Sequence, residues 1–368
     1  MAILFTTDIS QTNILFSHQN NVVVFKSDSV KKALKVEITI NGEMFVIYPN
    51  PLGVFYYNFY QYIQSSVNTK NLADDLNVDL STAFIYNSEA GTYLENSIGF
   101  KIIFIDSTFE IISKSLKWIL GCLQIEDYKS NPTIFPINAP FILGSKYVKY
   151  FEGYPFDISV YVGVSTKLQI TNELNLLFIK TFTPSKVNRI IFSDGNIDST
   201  INDTLSIANG INDLKITSNA INVFLELEKQ NNCDGVYLKW LNNLGGWSYW
   251  LFEKESRVRN TKDLGEVQND YYNPIDTIGP TISIGKTSKD IIKTTTGIIS
   301  LKEINLLESI IDSPKIYYFK GIPFSKNNFN DWIEVSLKTS SIILKNAKRN
   351  NFQFNIELEM PDRNTIKL

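Results

Sequence analysis

Residues 237–252 read YLKWLNNLGGWSYWLF, and this stretch decides the fold that the sequence predicts. It holds three of the five tryptophans in a chain of 368 residues. Two runs of large side chains flank a centre with two glycines, and glycine supplies the positive φ that tight turns need. The pattern predicts a β-hairpin, with strands at 236–241 and 247–253 and a turn at 242–246.

Large side chains alternate to both faces of this predicted hairpin. In the second strand Trp247 and Tyr249 point to one face, and Trp250 points to the other. A sheet with one face in water would alternate apolar and polar residues more cleanly. We therefore expect the domain core to cover one face and another domain or subunit to cover the other.

Three interpretations of this aromatic cluster remain open from the sequence: the interior of the protein, a subunit interface and a carbohydrate platform. Aromatic residues and arginine are typical of buried anchors at interfaces. The candidate interface residues are Tyr237, Trp240, Trp247, Tyr249, Trp250, Arg257 and Arg259. A carbohydrate platform would need exposed rings beside amides, which Asn242 and Asn243 supply.

The composition also favours strands over helices. Aromatic residues make up 13% of the chain, and β-branched and aromatic side chains fit a pleated sheet well. Asn41-Gly42, the pair preferred in a two-residue type I′ turn, joins two alternating segments at 35–49. One helix is expected at 300–314, where Ser300 and Glu303 have the spacing of a capping box.

Chain length and composition together predict the domain organisation. At roughly 150 residues per domain the chain should form two or three domains, and three prolines in 130–141 indicate the first boundary. We predict a mainly β protein of two or three β-sandwich or β-barrel-like domains, with a few short helices and long polar loops or arms. The predicted parts are an N-terminal β domain at 1–140, a second β domain with the Trp-rich hairpin at 141–254, an extended linker or arm at 255–300, and a C-terminal helix with strands at 301–368 that can pack on the second domain.

Charge and hydropathy argue against several function classes. A formal net charge of −3 gives no basic surface for direct nucleic-acid binding. No apolar stretch approaches the roughly 20 residues that span a bilayer, and MAILFTTDIS does not resemble a signal peptide. Cys122 and Cys233 are expected to be unpaired thiols. The sequence therefore predicts a soluble protein made in a cytoplasm, without membrane insertion.

Residues for catalysis or metal binding are scarce. His18 is the only histidine, so a Ser-His-Asp triad or a histidine metal cluster would have to use it. The segment GPTISIGKTS at 279–288 has five residues between its glycines, where a phosphate-binding loop has four. Acidic pairs such as Asp74 and Asp75 are expected at the surface. We predict no enzymatic activity, no cofactor and no metal.

Several segments resemble virion proteins of tailed phages and prophages of Bacteroidetes. They are YLKWLNNLGGWSYWLF, YFEGYPFDISVY at 150–161, INGEMFVIYPNPLGVFYYNF at 40–59, and the C-terminal series LKEINLLESIIDSPKIYYFKG, DWIEVSLKT and FQFNIELEM. The resemblance implies a non-enzymatic structural subunit of the tail, at the baseplate, distal tail or a tail ring. It implies a homo-oligomeric ring that contacts neighbouring virion proteins, located in the virion after synthesis in the host bacterial cytoplasm. The alternative is a host-surface glycan-binding or receptor-binding module that uses the Trp-rich hairpin.

Overall fold

The computed structural model shows a mainly β protein with two short α-helices and five sheets among its described residues. The predicted fold class is confirmed. The described residues are 2–68, 71–87, 93–123, 135–163, 167–173, 177–181, 186–198, 200–201, 205–218, 221–231, 234–268, 281–339 and 352–367.

The N-terminal region forms two sheets that enclose one hydrophobic core. The first contains Ile3–Thr7 (β1), Val22–Ser27 (β3) and Phe55–Asn58 (β6), in the order β1-β3-β6. The second contains Ile14–Phe16 (β2), Ala33–Ile40 (β4), Glu43–Ile47 (β5), Tyr93–Phe104 (β8) and Phe109–Ile119 (β9), in the order β2-β9-β8-β4-β5. Helix α1, Tyr60–Val67, buries Ile63 and Val67 in the same core.

The predicted Asn41-Gly42 turn joins β4 to β5, which pair in antiparallel register. Both turn residues have positive φ, 50° at Asn41 and 88° at Gly42, as the type I′ turn requires.

Two further sheets follow in the second region. One contains Ile85–Asn87 (β7), Phe141–Ile142 (β10), Pro155–Tyr161 (β12) and Val187–Asp194 (β15), in the order β10-β12-β15-β7. The other contains Tyr147–Phe151 (β11), Lys167–Thr171 (β13), Leu177–Thr181 (β14), Gly210–Ser218 (β16) and Ile221–Gln230 (β17), in the order β11-β17-β16-β13-β14. Strand β7 therefore comes from the first 140 residues but pairs with a strand of the second region.

The largest sheet unites the Trp-rich hairpin with the rest of the chain. It contains Val236–Leu241 (β18), Trp247–Phe252 (β19), Lys254–Gln268 (β20), Thr281–Thr295 (β21), Ile316–Phe319 (β22), Trp332–Leu337 (β23) and Asn355–Glu359 (β24), in the order β19-β18-β22-β23-β24-β21-β20. The strands of 301–368 are thus hydrogen-bonded into the same sheet as the hairpin. Their apolar side chains belong to the same core as those of the second region.

The predicted helix begins where the capping box placed it. Helix α2, Leu301–Leu307, starts after Ser300, whose hydroxyl accepts a hydrogen bond from the backbone N–H of Glu303. The Glu303 carboxylate in turn accepts from the backbone N–H of Ser300 at 2.6 Å. A 3₁₀ turn at Glu308–Ile310 extends the helix towards Pro314.

Segment 255–300 was predicted as an extended linker or arm, and its described residues 255–268 and 281–295 form paired strands. Strands β20 and β21 pair along their whole lengths as one antiparallel hairpin. The sequence of these strands resembles that of a loop because most side chains on both faces of the outer part are exposed. Apolar and polar residues therefore do not have to alternate along the strands.

Candidate functional site

The Trp-rich hairpin forms as predicted, but its aromatic side chains lie inside the chain. Strands β18 and β19 pair antiparallel, with Leu238 opposite Trp250. Tyr237, Trp240, Tyr249 and Trp250 are only 0–4% exposed. A side chain buried within one chain has almost no surface left for a partner. We therefore assign these four candidate interface residues to the core.

Both faces of the hairpin are covered by the same chain. On one face the Trp240 Nε1–H donates to the Ser309 hydroxyl at 2.9 Å, just beyond α2. The Trp250 ring packs against Phe151 with centroids 5.9 Å apart. Trp247 is half-buried, and it contacts the N-terminal core as well as the Tyr317 ring. The sequence predicted that another domain or subunit covers the second face of the hairpin, and other segments of the same chain cover it.

The hairpin turn is held in place by Asn242. Its side-chain oxygen accepts from the backbone N–H groups of Leu244 and Gly246 at 2.9 and 3.1 Å. Its amide nitrogen donates to the Leu143 carbonyl at 3.0 Å and to the Ser248 hydroxyl at 3.1 Å. This residue therefore fixes the turn and attaches it to the segment before β11.

The two glycines are required because the turn is wedged between backbones. A Cβ on Gly245 would lie 2.1 Å from the Leu120 carbonyl oxygen, and a Cβ on Gly246 would lie 2.0 Å from that of Leu143. The Cys122 N–H also donates to the Asn243 carbonyl at 2.6 Å. The turn thus joins the end of the N-terminal sheet to the second region.

Four charged side chains form a buried network beside the hairpin. The Arg189 guanidinium donates to both Asp157 oxygens at 3.1 and 2.5 Å and to Asp74 at 2.7 Å. The Lys239 ammonium donates to the other Asp74 oxygen at 2.6 Å. All four side chains are only 5–6% exposed. Two cations balance two carboxylates, so no net charge is buried.

The network connects parts of the chain that are distant in sequence. Asp74 follows helix α1, whereas Asp157, Arg189 and Lys239 lie on β12, β15 and β18. The Lys239 ammonium also lies over the Trp332 ring, 4.4 Å from its centroid. The expectation that Asp74 is a surface acid was wrong, because its charge partners come from segments that no local pattern connects to it.

Burial and these contacts shift the pKa values of Asp74, Lys239 and the neighbouring Tyr249. Burial alone raises the pKa of Asp74, but Arg189 and Lys239 more than reverse this and hold the pKa well below its usual range. Burial lowers the pKa of Lys239, against the opposing effect of Asp74. Burial also raises the pKa of Tyr249, whose hydroxyl donates to Asp157.

We predict that acid weakens the fold through Asp74. Its stabilising effect is complete above the unfolded pKa of about 3.9 and is lost as the pH falls from there towards the lower folded pKa. The melting temperature should therefore fall between pH 5 and pH 2. Asp74→Asn, which is less stable at pH 6, should lose less over the same interval. An equal loss in both proteins would contradict the assignment.

The remaining candidate interface residues, Arg257 and Arg259, lie on the exposed hairpin of β20 and β21. From Glu255 to Gln268 every residue is exposed except Gly265, which is half-buried. Arg259 donates to Asp290 on β21 at 2.8 Å, and Arg257 donates to the Tyr318 hydroxyl at 2.9 Å. These two arginines therefore stay available at the surface, unlike the aromatic residues.

The C-terminal segment closes one edge of this hairpin. The backbone N–H groups of Met360 and Arg363 donate to the carbonyls of Asp290 and Ser288, at 2.9 and 3.0 Å. Lys367 then forms a bridge with Gly285. On the opposite side, none of the described strands pairs with the outer edge of β20. In the described part of the chain, one edge of the hairpin is thus covered and the other is open.

The N-terminal sheet presents exposed apolar side chains on its outer face. Val46 and Ile111 lie in one row across β5, β4, β8 and β9, and Met44 and Phe109 lie beside them. These four side chains are 39–60% exposed. Between Val46 and Ile111 the same row contains Glu37 and Lys101, whose charged atoms lie 3.2 Å apart, so the apolar side chains form two small groups and not one patch.

A cleft of about 510 Å³ opens beside the hairpin turn. Its walls include Phe135, Lys146, Asn243 and Asn305. Asn243 is one of the two amides that the carbohydrate interpretation uses. The cleft also contains the Cys122 thiol, which is free, while Cys233 lies outside the described residues.

The structure offers little catalytic machinery in its described part. The His18 ring is half-buried, which lowers its pKa, and its Nδ1 lies 2.9 Å from the Ser17 hydroxyl. Residues 281–288 of the segment with phosphate-loop spacing belong to strand β21, while 279–280 lie outside the described residues. Over the described ranges, no cluster of three or more His, Cys, Asp or Glu side chains could hold a metal ion. In that same part, no helix is long and apolar enough to cross a membrane.

Comparison with known proteins adds little beyond secondary structure. No family model matches the chain, and no curated protein matches its sequence. Domains A168–A170 of titin align with 80% of this chain and 93% of their own length, at 8% identity and a TM-score of 0.26. The fibronectin(III)-like modules of Clostridium thermocellum CbhA align with 62% and 95%, at 5% identity and 0.22. A bacterial ice-binding adhesin aligns with 80% and 92%, at 10% identity and 0.20. These TM-scores are too low for conclusions about topology or function.

Proposed function

We propose that this protein is a non-enzymatic structural subunit of a bacteriophage tail, at the baseplate, the distal tail or a tail ring, and that it self-assembles through the hairpin of β20 and β21. The observation that carries the proposal is the hairpin itself. It extends the largest sheet by two strands of 15 residues each, and its outer strand is exposed along almost its whole length. Such an element buries little apolar area in the monomer, so it adds little to the stability of the fold. We therefore expect the hairpin to act as a contact between subunits.

The open edge of β20 supports this role. An uncovered edge strand presents unpaired N–H and C=O groups that pair readily with another chain, and proteins normally cover or shorten such edges. Here the C-terminal segment covers the other edge of the hairpin, and no strand among the described residues pairs with the outer edge of β20. The two small groups of exposed apolar side chains on the N-terminal sheet, on either side of the Glu37–Lys101 ion pair, give further candidate contacts in an assembly.

Resemblance to virion proteins of tailed phages suggests which assembly this is. The chain would then be located in the virion tail, in a homo-oligomeric ring with neighbouring virion proteins as further partners. The alternative, a glycan-binding or receptor-binding module on the Trp-rich hairpin, has weaker support because Trp240 and Trp250 are buried and Trp247 is half-buried.

A variant with a shortened hairpin tests the proposal. Replacing residues 260–289 by Asn-Gly keeps Arg259 paired with Asp290 and closes the hairpin with a tight turn. We expect this variant to fold, with the far-ultraviolet circular dichroism of a β protein and a cooperative melt, but to lose self-association in light scattering. Assembly at the concentrations where the intact chain assembles would contradict the proposed role of the hairpin.

A further inference from the structure

We infer that β20 pairs antiparallel with β20 of a second copy of this chain, about a two-fold axis that passes by Thr261. This inference rests on the proposed assembly role of the hairpin and adds the partner, the direction and the register. A two-fold contact closes at a dimer, so in the proposed ring it joins subunits in pairs and a second contact joins the pairs. In this register residue 259 faces 263 of the partner, residue 260 faces 262, and residue 261 faces itself.

The distribution of charge along β20 favours this pairing. Arg259 lies on the half of the strand next to the sheet, and Asp263 lies on the outer half. Antiparallel pairing about Thr261 brings each Arg259 opposite the partner's Asp263. Because an isologous contact uses every pair twice, the strand is complementary to itself. Opposite charges directly across a sheet stabilise it, whereas like charges destabilise it.

The pairing also continues a row of charges that the monomer already contains. Across the sheet, Arg363 binds Asp290 at 2.7 Å, and Asp290 binds Arg259 at 2.8 Å. On the other half of β20, Asp263 lies 3.5 Å from Lys286. The dimer joins these rows into one row in which positive and negative charges alternate. In order, the row contains Arg363, Asp290, Arg259, the partner's Asp263 and the partner's Lys286. In the monomer the row ends at the open edge on Arg259, which shares Asp290 with Arg363.

Neighbouring positions fit the same register. The Thr261 hydroxyl lies 3.1 Å from that of Ser288. On the axis, two Thr261 side chains then lie between two Ser288 side chains. The register break between Asp263 and Gly265 limits regular pairing to the part of β20 before it.

A cysteine at the axis tests the register. In a background with Cys122→Ser and Cys233→Ser, we expect Thr261→Cys to form a disulfide-linked dimer under mild oxidation. Facing residues of antiparallel strands have Cα atoms about 4.5–5.5 Å apart, within the range that a disulfide bridges. Ser256→Cys is the matched control, because its two copies would lie roughly 34 Å apart at ~3.4 Å per residue. It should stay uncrosslinked on a non-reducing gel.

Charge reversal tests whether the charges along β20 are complementary to those of a second copy. Arg259→Asp places two acids opposite each other, and Asp263→Arg places two arginines opposite each other. Each variant alone should self-associate about tenfold more weakly. Mixed in equal amounts they should recover association, because both contacts of the mixed dimer then join opposite charges.

The outcomes separate this inference from the proposed function. Crosslinking at Thr261 but not Ser256, with recovery on mixing, supports the dimer. Assembly of the intact chain without crosslinking at Thr261, or with both charge variants unaffected, overturns the paired register and leaves the structural role standing. A chain that stays monomeric at every concentration overturns both.

Discussion

Replacing Arg189 with methionine is expected to lower the free energy of unfolding by about 3–5 kcal/mol. The guanidinium is buried, and it makes two hydrogen bonds to Asp157 and one to Asp74. Without it two buried carboxylates remain against the single ammonium of Lys239. Because a buried charge without a partner is far costlier than an exposed one, the loss should be large. Urea denaturation at pH 7 measures it.

The control is Arg259→Met, which removes an exposed arginine that also binds an aspartate. Because Arg259 lies in the proposed contact between subunits, all variants are compared at a concentration at which the chain is monomeric. Exposed ion pairs contribute about 0–1 kcal/mol, so this variant should unfold at nearly the same urea concentration as the intact protein. Adding Asp157→Asn to Arg189→Met should recover part of the loss, since one carboxylate then again faces one ammonium. Similar losses for the two arginine variants would contradict the assigned role of the buried network.

Gly245→Ala is expected to destabilise the protein by about 2–5 kcal/mol. The residue has a φ of 82°, which costs an L-residue roughly 1–2 kcal/mol. The new Cβ would also lie 2.1 Å from the Leu120 carbonyl oxygen, so the backbone must shift at a further cost of about 1–3 kcal/mol. Chemical denaturation followed by tryptophan fluorescence reports the change directly, because three tryptophans flank this turn.

Gly42→Ala separates the two contributions. Gly42 has a similar φ of 88°, but a Cβ there would meet no atom within 4 Å. It should therefore lose only the roughly 1–2 kcal/mol that comes from the backbone conformation. The difference between the two alanine variants measures how tightly the hairpin turn is wedged against the N-terminal region. Equal losses would show that the close approach is relieved at no cost.

Local patterns predicted the local structure well. The hairpin around Gly245 and Gly246, the turn at Asn41 and Gly42 and the capping box at Ser300 each depend on residues within a few positions of one another. In each case backbone conformation or capping restricts the residue types. These elements, and the mainly β class, were therefore visible in the sequence.

Long-range pairing was not visible. Nothing near Asp74 indicates that Arg189 and Lys239 will surround it, because these partners lie 115 and 165 residues away. The paired strands of the exposed hairpin were hidden for a different reason. Because both faces of these strands are in water, apolar and polar residues do not alternate along them. The one sign of a strand in the sequence is that residues 254–264 are mostly polar and contain no glycine or proline.

The aromatic cluster shows why core and interface could not be separated from sequence. Trp240 and Trp250 are the residue types expected in both settings. What decides between them is which segments cover the hairpin, and these come from Ser309, Phe151 and Leu120 in distant parts of the chain. The arginines on β20 were the part of the candidate interface that the structure leaves exposed.

The native mass of the purified chain, followed by light scattering over a range of concentrations, tests the central claim most directly. A self-assembling tail subunit predicts particles that are multiples of the 42.0 kDa chain, with ring-shaped outlines in electron micrographs. The variant with the shortened hairpin should stay monomeric under the same conditions. A monomer of 42.0 kDa at every concentration, for the intact chain as well as the variant, would contradict the proposed role in assembly.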